Sequence, residues 1–162
     1  MTAAVAGIPT GVHVILPRAG AVLLMRRANT GFFDGLFSLP GGHVEPGESI
    51  RMAAIREMAE ELDVRLAAAD LDLVGVVHRL SDTNRIDFFL RARHWLGEPR
   101  RAEPDKCDAL GWYSPAALPD NTVAYIRGAL GCSQDEPWVM EHGWPAPMAD
   151  DALRPMASAQ TP

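Results

Sequence analysis

Between Gly41 and Asp63 the chain reads GGHVEPGESIRMAAIREMAEELD, a glycine pair and a short loop feeding one amphipathic helix. This helix constrains the fold more than any other feature, because it must serve two faces at once. On a wheel of ~100° per residue, Glu60 and Glu61 fall within about 60° of Glu57, one on either side. Ile50, Ala53 and Ala54 extend that stripe toward the N-terminus, while Ile55, Met58 and Leu62 take a different arc and form the expected core face. Like charges at these spacings cost roughly 0.2–0.5 kcal/mol per pair. Carboxylates in a last turn also oppose the helix dipole, by roughly 0.3–1 kcal/mol each. Glu45 and Glu48 in the preceding loop bring further negative charge to the same helix. A lone ExxEE describes a solvated face, but this concentration of carboxylates beside a close-approaching Gly41-Gly42 backbone calls for a cation. Hard carboxylate oxygens suit Mg²⁺, Mn²⁺ or Ca²⁺ rather than thiophilic metals.

Around this helix the pattern is strands, helix, strands, helix. GVHVILPR and AVLLMRR are apolar runs separated by Ala19-Gly20, which predicts a hairpin. ANTGFFDG reads as a loop, LFSLP as a short strand ended by Pro40, and Gly41-Gly42 as a tight turn. LDLVGVVHRL and RIDFFLRARHW are two further strands, with Ile86, Phe88, Leu90 and Ala92 alternating to one face. ALGWYS is a last strand, and NTVAYIRGAL a second helix for which Asn121 is a suitable N-cap. This order predicts an α/β fold, a mixed sheet with helices over its faces. One domain is expected over 1–144, with a flexible Pro- and Ala-rich tail over 145–162.

Composition narrows the function classes. The net charge of −6, from 21 acidic and 15 basic residues, argues against a nucleic-acid polymer or a membrane surface as partner. A small anionic substrate stays compatible, since a bound metal inverts local charge. Cys107 and Cys132 do not make a disulfide framework. The N-terminus has neither a basic nor an apolar signal region, so a cytoplasmic protein is expected. Gly42 and Gly47 have the spacing of a phosphate-binding P-loop, but Glu48 stands where that loop needs lysine.

The same residues carry a resemblance. From Gly42 the chain runs five residues to Glu48, seven more, then Arg56-Glu57-Met58-Ala59-Glu60-Glu61-Leu62-Asp63-Val64. This resembles the Nudix box, G-x5-E-x7-R-E-U-x-E-E-x-G-U with U aliphatic, and departs from it only where Asp63 replaces glycine. That position leaves the helix with positive φ, which Asp tolerates better than most residues. SLPGG before the box and WLGEP after it are similar to the MutT-like branch. The resemblance implies an α/β/α sandwich and Mg²⁺-dependent hydrolysis, with Mn²⁺ a substitute, of a small nucleoside diphosphate-linked substrate. It implies Glu57, Glu60 and Glu61 as metal ligands with the Gly41 carbonyl, and Arg56 holding the acidic cluster together with Glu48. Glu103, five residues past Glu98, is implied to approach the metal or activate water, leaving Glu60, Glu61 and Glu103 as candidate bases. A homodimer is compatible with the sequence.

Substrate contacts are read from position. Arg26 and Arg27 end a strand just before the loop into the box and could grip phosphates. Phe32, Phe33 or Phe89 could stack on a base. Asn121 lies near an asparagine that reads a purine in MutT-type enzymes, though the helix cap is the favoured reading of it. The signatures associated with ADP-ribose, diadenosine polyphosphate and coenzyme A hydrolases are absent or partial. What remains is a (deoxy)nucleoside triphosphate, oxidised or not, cleaved to monophosphate and pyrophosphate. The alternatives are a nucleotide-sugar or pathway diphosphate, and a non-catalytic nucleotide sensor.

Overall fold

The computed structural model describes residues 7–146, so of the expected tail only Pro145 and Ala146 fall inside the described residues. In chain order the elements are β1 (Thr10–Ile15), β2 (Pro17–Arg18), β3 (Ala21–Arg27), β4 (Phe37–Ser38) and β5 (Gly41–His43). They continue with α1 (Ile50–Leu62), β6 (Leu71–Leu80), β7 (Asn84–Ala92), β8 (Cys107–Tyr113), α2 (Ala124–Gly131) and β9 (Trp138–His142).

A mixed five-stranded sheet has the order β5-β1-β7-β6-β9. β1 runs parallel to β7 and β6 parallel to β9, while the remaining pairs are antiparallel. In the second sheet β3 pairs antiparallel with β2, β4 and β8. Val12 and Val14 of β1, with Leu90 and Ala92 of β7, pack under α1. Val77 of β6 and Phe89 of β7 point the other way, to Ile126 and Leu130 of α2. The two helices therefore cover opposite faces, giving an α/β sandwich with a core on each side of the sheet.

Local chemistry accounts for the main boundaries. Ala19 and Gly20 both have positive φ, 49° and 78°, the backbone that a tight hairpin turn requires. The Ser49 hydroxyl accepts the Met52 N–H at 3.2 Å and caps α1. Asp63 stands at φ 56°, ψ 36°, taking the left-handed conformation expected at the helix exit. Its N–H donates to the Ala59 carbonyl at 3.1 Å.

Three expectations are corrected. Gly41 and Gly42 are not a turn but strand β5, paired to His13 and Val12 of β1. Gly41 has φ 152°, and a Cβ there would run into the Val12 carbonyl, so glycine is what lets this strand close on β1. Ala53 and Ala54 belong to the core with Met58 and Leu62, whereas Ile55 is only half-buried. The buried arc of α1 is thus continuous with the acidic stripe instead of lying opposite it. Asn121 does not cap α2, which has Val123 at its cap position. Strand β9 is a further element, within the expected domain, that the sequence pattern does not announce, and its Trp138 ring fills the space above Gly75.

Met58 has no exposed surface and sits between the acidic turns of α1 and the sheet. Met58→Ala is expected to lower unfolding free energy by about 3 kcal/mol through the cavity it leaves, measured by denaturant titration.

Candidate active site

The C-terminal half of α1 lies against β5, and side chains of both border a cavity of about 540 Å³. Glu57, Glu60, Glu61 and Glu103 line one end of it, with Gly41, Gly42 and Glu45. Gly42 matters for lack of a side chain: a Cβ would collide with the Glu57 carboxylate. The Glu61 carboxylate accepts the Gly41 N–H at 2.9 Å. The box glycines thus seat two carboxylates directly on the strand backbone.

Arg56 holds the negative charge together. Its guanidinium donates to Glu48 at 2.8 and 2.9 Å, to Glu57 at 2.8 Å and to the His43 carbonyl at 3.0 Å, and approaches Glu60 at 3.5 Å. Those bonds to Arg56 hold the Glu48 carboxyl down at about 2. Burial acts the other way deeper in, raising Glu57 despite its bond to Arg56. Burial, with the neighbouring Glu57 charge, pushes Glu61 up to about 8.

Glu103 reaches this cluster because its loop closes the end of α1. The Ala102 N–H donates to the Glu61 carbonyl at 3.0 Å and the Arg100 N–H to the Leu62 carbonyl at 3.1 Å, satisfying carbonyls that a helix end leaves open. Lys106 then holds the Glu103 carboxylate at 2.7 Å.

Arg27 and Phe33 also line the cavity, and Arg27 Nε donates to the Phe32 carbonyl at 2.8 Å. Arg26 and Asn121 lie elsewhere. Arg26 is paired with Asp108 at 2.6 Å, and the Asn121 amide donates to the Gly35 carbonyl at 2.8 Å. Of the other two stacking candidates, Phe32 also lines the cavity and Phe89 is fully buried in the core. The sequence reading did not single out a second polar group bordering the cavity, His13, Arg79, Arg85, Asp87 and Tyr125. The alternation of β1 and β7 hints only at His13, Arg85 and Asp87.

Among the described residues no three metal-binding side chains are already gathered into a ligand set. The chemistry of the donors nevertheless fits a hard divalent cation. Three carboxylates share one cavity end, and Glu61 among them makes no ion pair among the described residues, its carboxylate being met by the Gly41 N–H. Glu57, Glu60 and Glu61 are the side chains that would hold it.

A family model described as NUDIX domain matches residues 8–129, and the chain belongs to the Nudix family. The α/β sandwich described above agrees with that family. It is 31% identical over 106 residues to a Bacillus subtilis protein provisionally named an 8-oxo-dGTP diphosphatase, covering 65% of this chain and 66% of that one, just under two thirds of its length. It is 33% identical to the CTP pyrophosphohydrolase of Escherichia coli, covering 64% and 74% of the respective chains. The crystal structure of a MutT NUDIX hydrolase from Burkholderia pseudomallei aligns at a TM-score of 0.71 and 31% identity, covering 77% of this chain and 97% of the other.

The Glu61 carboxyl sets a pH dependence for the metal-free fold. Its ordinary value is 4.5 and its value in the fold about 8. Below the first, both states carry the proton. Between the two, the unfolded chain ionises while the fold does not, so stability falls by up to about 1.4 kcal/mol per pH unit. In chelator the protein is expected to melt at a lower temperature at pH 8 than at pH 5. Glu61→Gln should flatten that difference and Mg²⁺ should reverse it, by thermal denaturation.

Proposed function

We propose that this chain is a Mg²⁺-dependent pyrophosphohydrolase, with Mn²⁺ a substitute, that cleaves a (deoxy)nucleoside triphosphate, oxidised or not, to monophosphate and pyrophosphate. The observation that carries this reading is the shared cavity, which brings Glu57, Glu60, Glu61 and Glu103 together with Arg27 and an aromatic wall at Phe33. Its volume of about 540 Å³ suits one small ligand better than a polymer. The relatives named for CTP and 8-oxo-dGTP point to the same substrate class.

Glu57, Glu60 and Glu61, with the Gly41 carbonyl, would hold the metal, which would supply neutralisation of phosphate charge and a more acidic water. The protein does the rest. Arg27 makes no ion pair among the described residues and can pair with phosphate oxygens. Arg56 acts at one remove, keeping Glu57 and the box loop in register through Glu48 and the His43 carbonyl. The water proton passes to a carboxylate, for which Glu60, Glu61 and Glu103 are the candidates. Lys106 fixes one oxygen of Glu103 and leaves the other free for that role.

Wild-type protein with Mg²⁺ should release pyrophosphate from members of a nucleoside triphosphate panel and lose this in chelator. Nucleotide-sugars in the same panel test the biosynthetic alternative. Tight binding without release from any compound would favour a sensor and overturn the hydrolase reading. Glu61→Gln should lower kcat by at least ~100-fold, the scale of a lost acid–base or ligand group, with the fold retained by circular dichroism. Glu103→Gln should lower kcat with little change in KM. A rise in KM instead would make Glu103 a substrate contact.

A further inference from the structure

The cavity has a second end to which no role is yet attached, and it is built differently from the first. Crossing the sheet from β5, over which the α1 carboxylates are seated, β1 comes next, then β7 and β6. With strands ~4.8 Å apart, β7 stands about 10 Å from β5, comparable to the reach of a nucleoside from its phosphate to its base. The intervening floor on β1 is Gly11, where any Cβ would strike Asp87 Oδ1.

Asp87 is 4% exposed. Its Oδ2 takes the Arg79 Nε at 2.5 Å. Its Oδ1 lies 3.8 Å from His13 Nε2, outside hydrogen-bond distance, and has no other partner among the described residues. Arg85 lines the same end, with Nη1 3.1 Å from His43 Nε2 and a buried Nε that has no partner among the described residues. Aromatic rings wall the space, Tyr125 and Phe33 with centroids 6.2 Å apart and His13 5.7 Å from Tyr125.

This end offers one buried acceptor flanked by guanidinium donors. A phosphate is a poor occupant, since it has no N–H for Asp87 and would be repelled by it. A flat heterocycle with a donor beside an acceptor is a good one. The geometry points to Asp87 as the specificity-determining residue of a base subsite, its free oxygen accepting the ring N–H of a lactam base (guanine, uracil or thymine) while Arg85 donates to the adjacent carbonyl. Adenine and cytosine reverse this pattern: a bare ring nitrogen, an acceptor, stands where the ring N–H was and would face the Asp87 oxygen, and an exocyclic amine, a donor, stands where the carbonyl was and would face Arg85. The inference rests on the nucleotide reading above and adds to it which bases are taken.

Asp87→Asn is the informative change. The amide carbonyl can keep the Arg79 bond, which turns an NH₂ toward the cavity and converts the free acceptor into a donor. With Mg²⁺, wild-type kcat/KM should favour GTP and UTP over ATP and CTP. In Asp87→Asn, KM for GTP and UTP should rise about 10- to 100-fold, the scale of one lost base-edge contact, with kcat nearly unchanged and the preference shifted to the amino bases. Wild-type protein tested with 1-methylguanosine and 3-methyluridine triphosphates, whose ring N–H is blocked, should show the same loss, and this arm does not depend on the variant folding.

Calorimetric binding of GMP, UMP, AMP and CMP separates the two readings. Base-selective binding without turnover overturns the hydrolase reading alone. Turnover with equal kcat/KM for the four bases, or an Asp87→Asn loss shared equally by all four, overturns the base-reading role and leaves the Arg79–Asp87 pair as packing.

Discussion

The guanidinium of Arg56 is the interaction on which the rest of this site depends. It binds both oxygens of Glu48, one oxygen of Glu57 and the His43 carbonyl, and so ties the helix to the loop that precedes it. Without that tie, four carboxylates would face one another across a short loop in a partly dehydrated space. With it, only part of the charge is balanced, because Glu61 has no guanidinium and is satisfied by a backbone N–H. The fold thus tolerates one end of α1 in a state of electrostatic deficit, which a divalent ion would correct.

The architecture distributes the remaining tasks by distance across the sheet. α1 sits over β1 and the β5 edge, so its aliphatic positions reach the core while its last turns overhang the glycines of β5. The loop from Arg100 to Glu103 takes the open carbonyls of the helix end and in doing so brings a fourth carboxylate to the cluster. On the α2 side of the sheet, β1, β6 and β7 contribute an aromatic and ion-paired wall. Charge is handled at one end of the cavity and shape and hydrogen bonding at the other.

Much of this was legible in the chain because it is encoded locally. The exit at Asp63, the span of β6 and the spacing of the glutamates all depend on residues within a turn or two of each other. What escaped the sequence reading was set by distant partners. Gly41 and Gly42 look like a turn until β1 offers them a ladder and Glu57 occupies the space above. Ala53 and Ala54 fit either arc of a wheel, and only the placement of α1 on the sheet assigns them to the core. Asp87, Arg79 and His13 resemble ordinary surface positions of alternating strands. Register brings them together, through Val77 against Asp87 and Gly11 against Asp87.

Strand β9 has a consequence for how the molecule is made. It pairs in parallel with β6, more than fifty residues earlier, and it lies past residue 129, where the family match ends. During vectorial synthesis β6 emerges long before the strand that shields its outer edge, and it must wait with unpaired backbone groups and the surface above Gly75 uncovered. The nascent chain is therefore most vulnerable to sticking to its neighbours on the ribosome in the interval before Trp138 arrives.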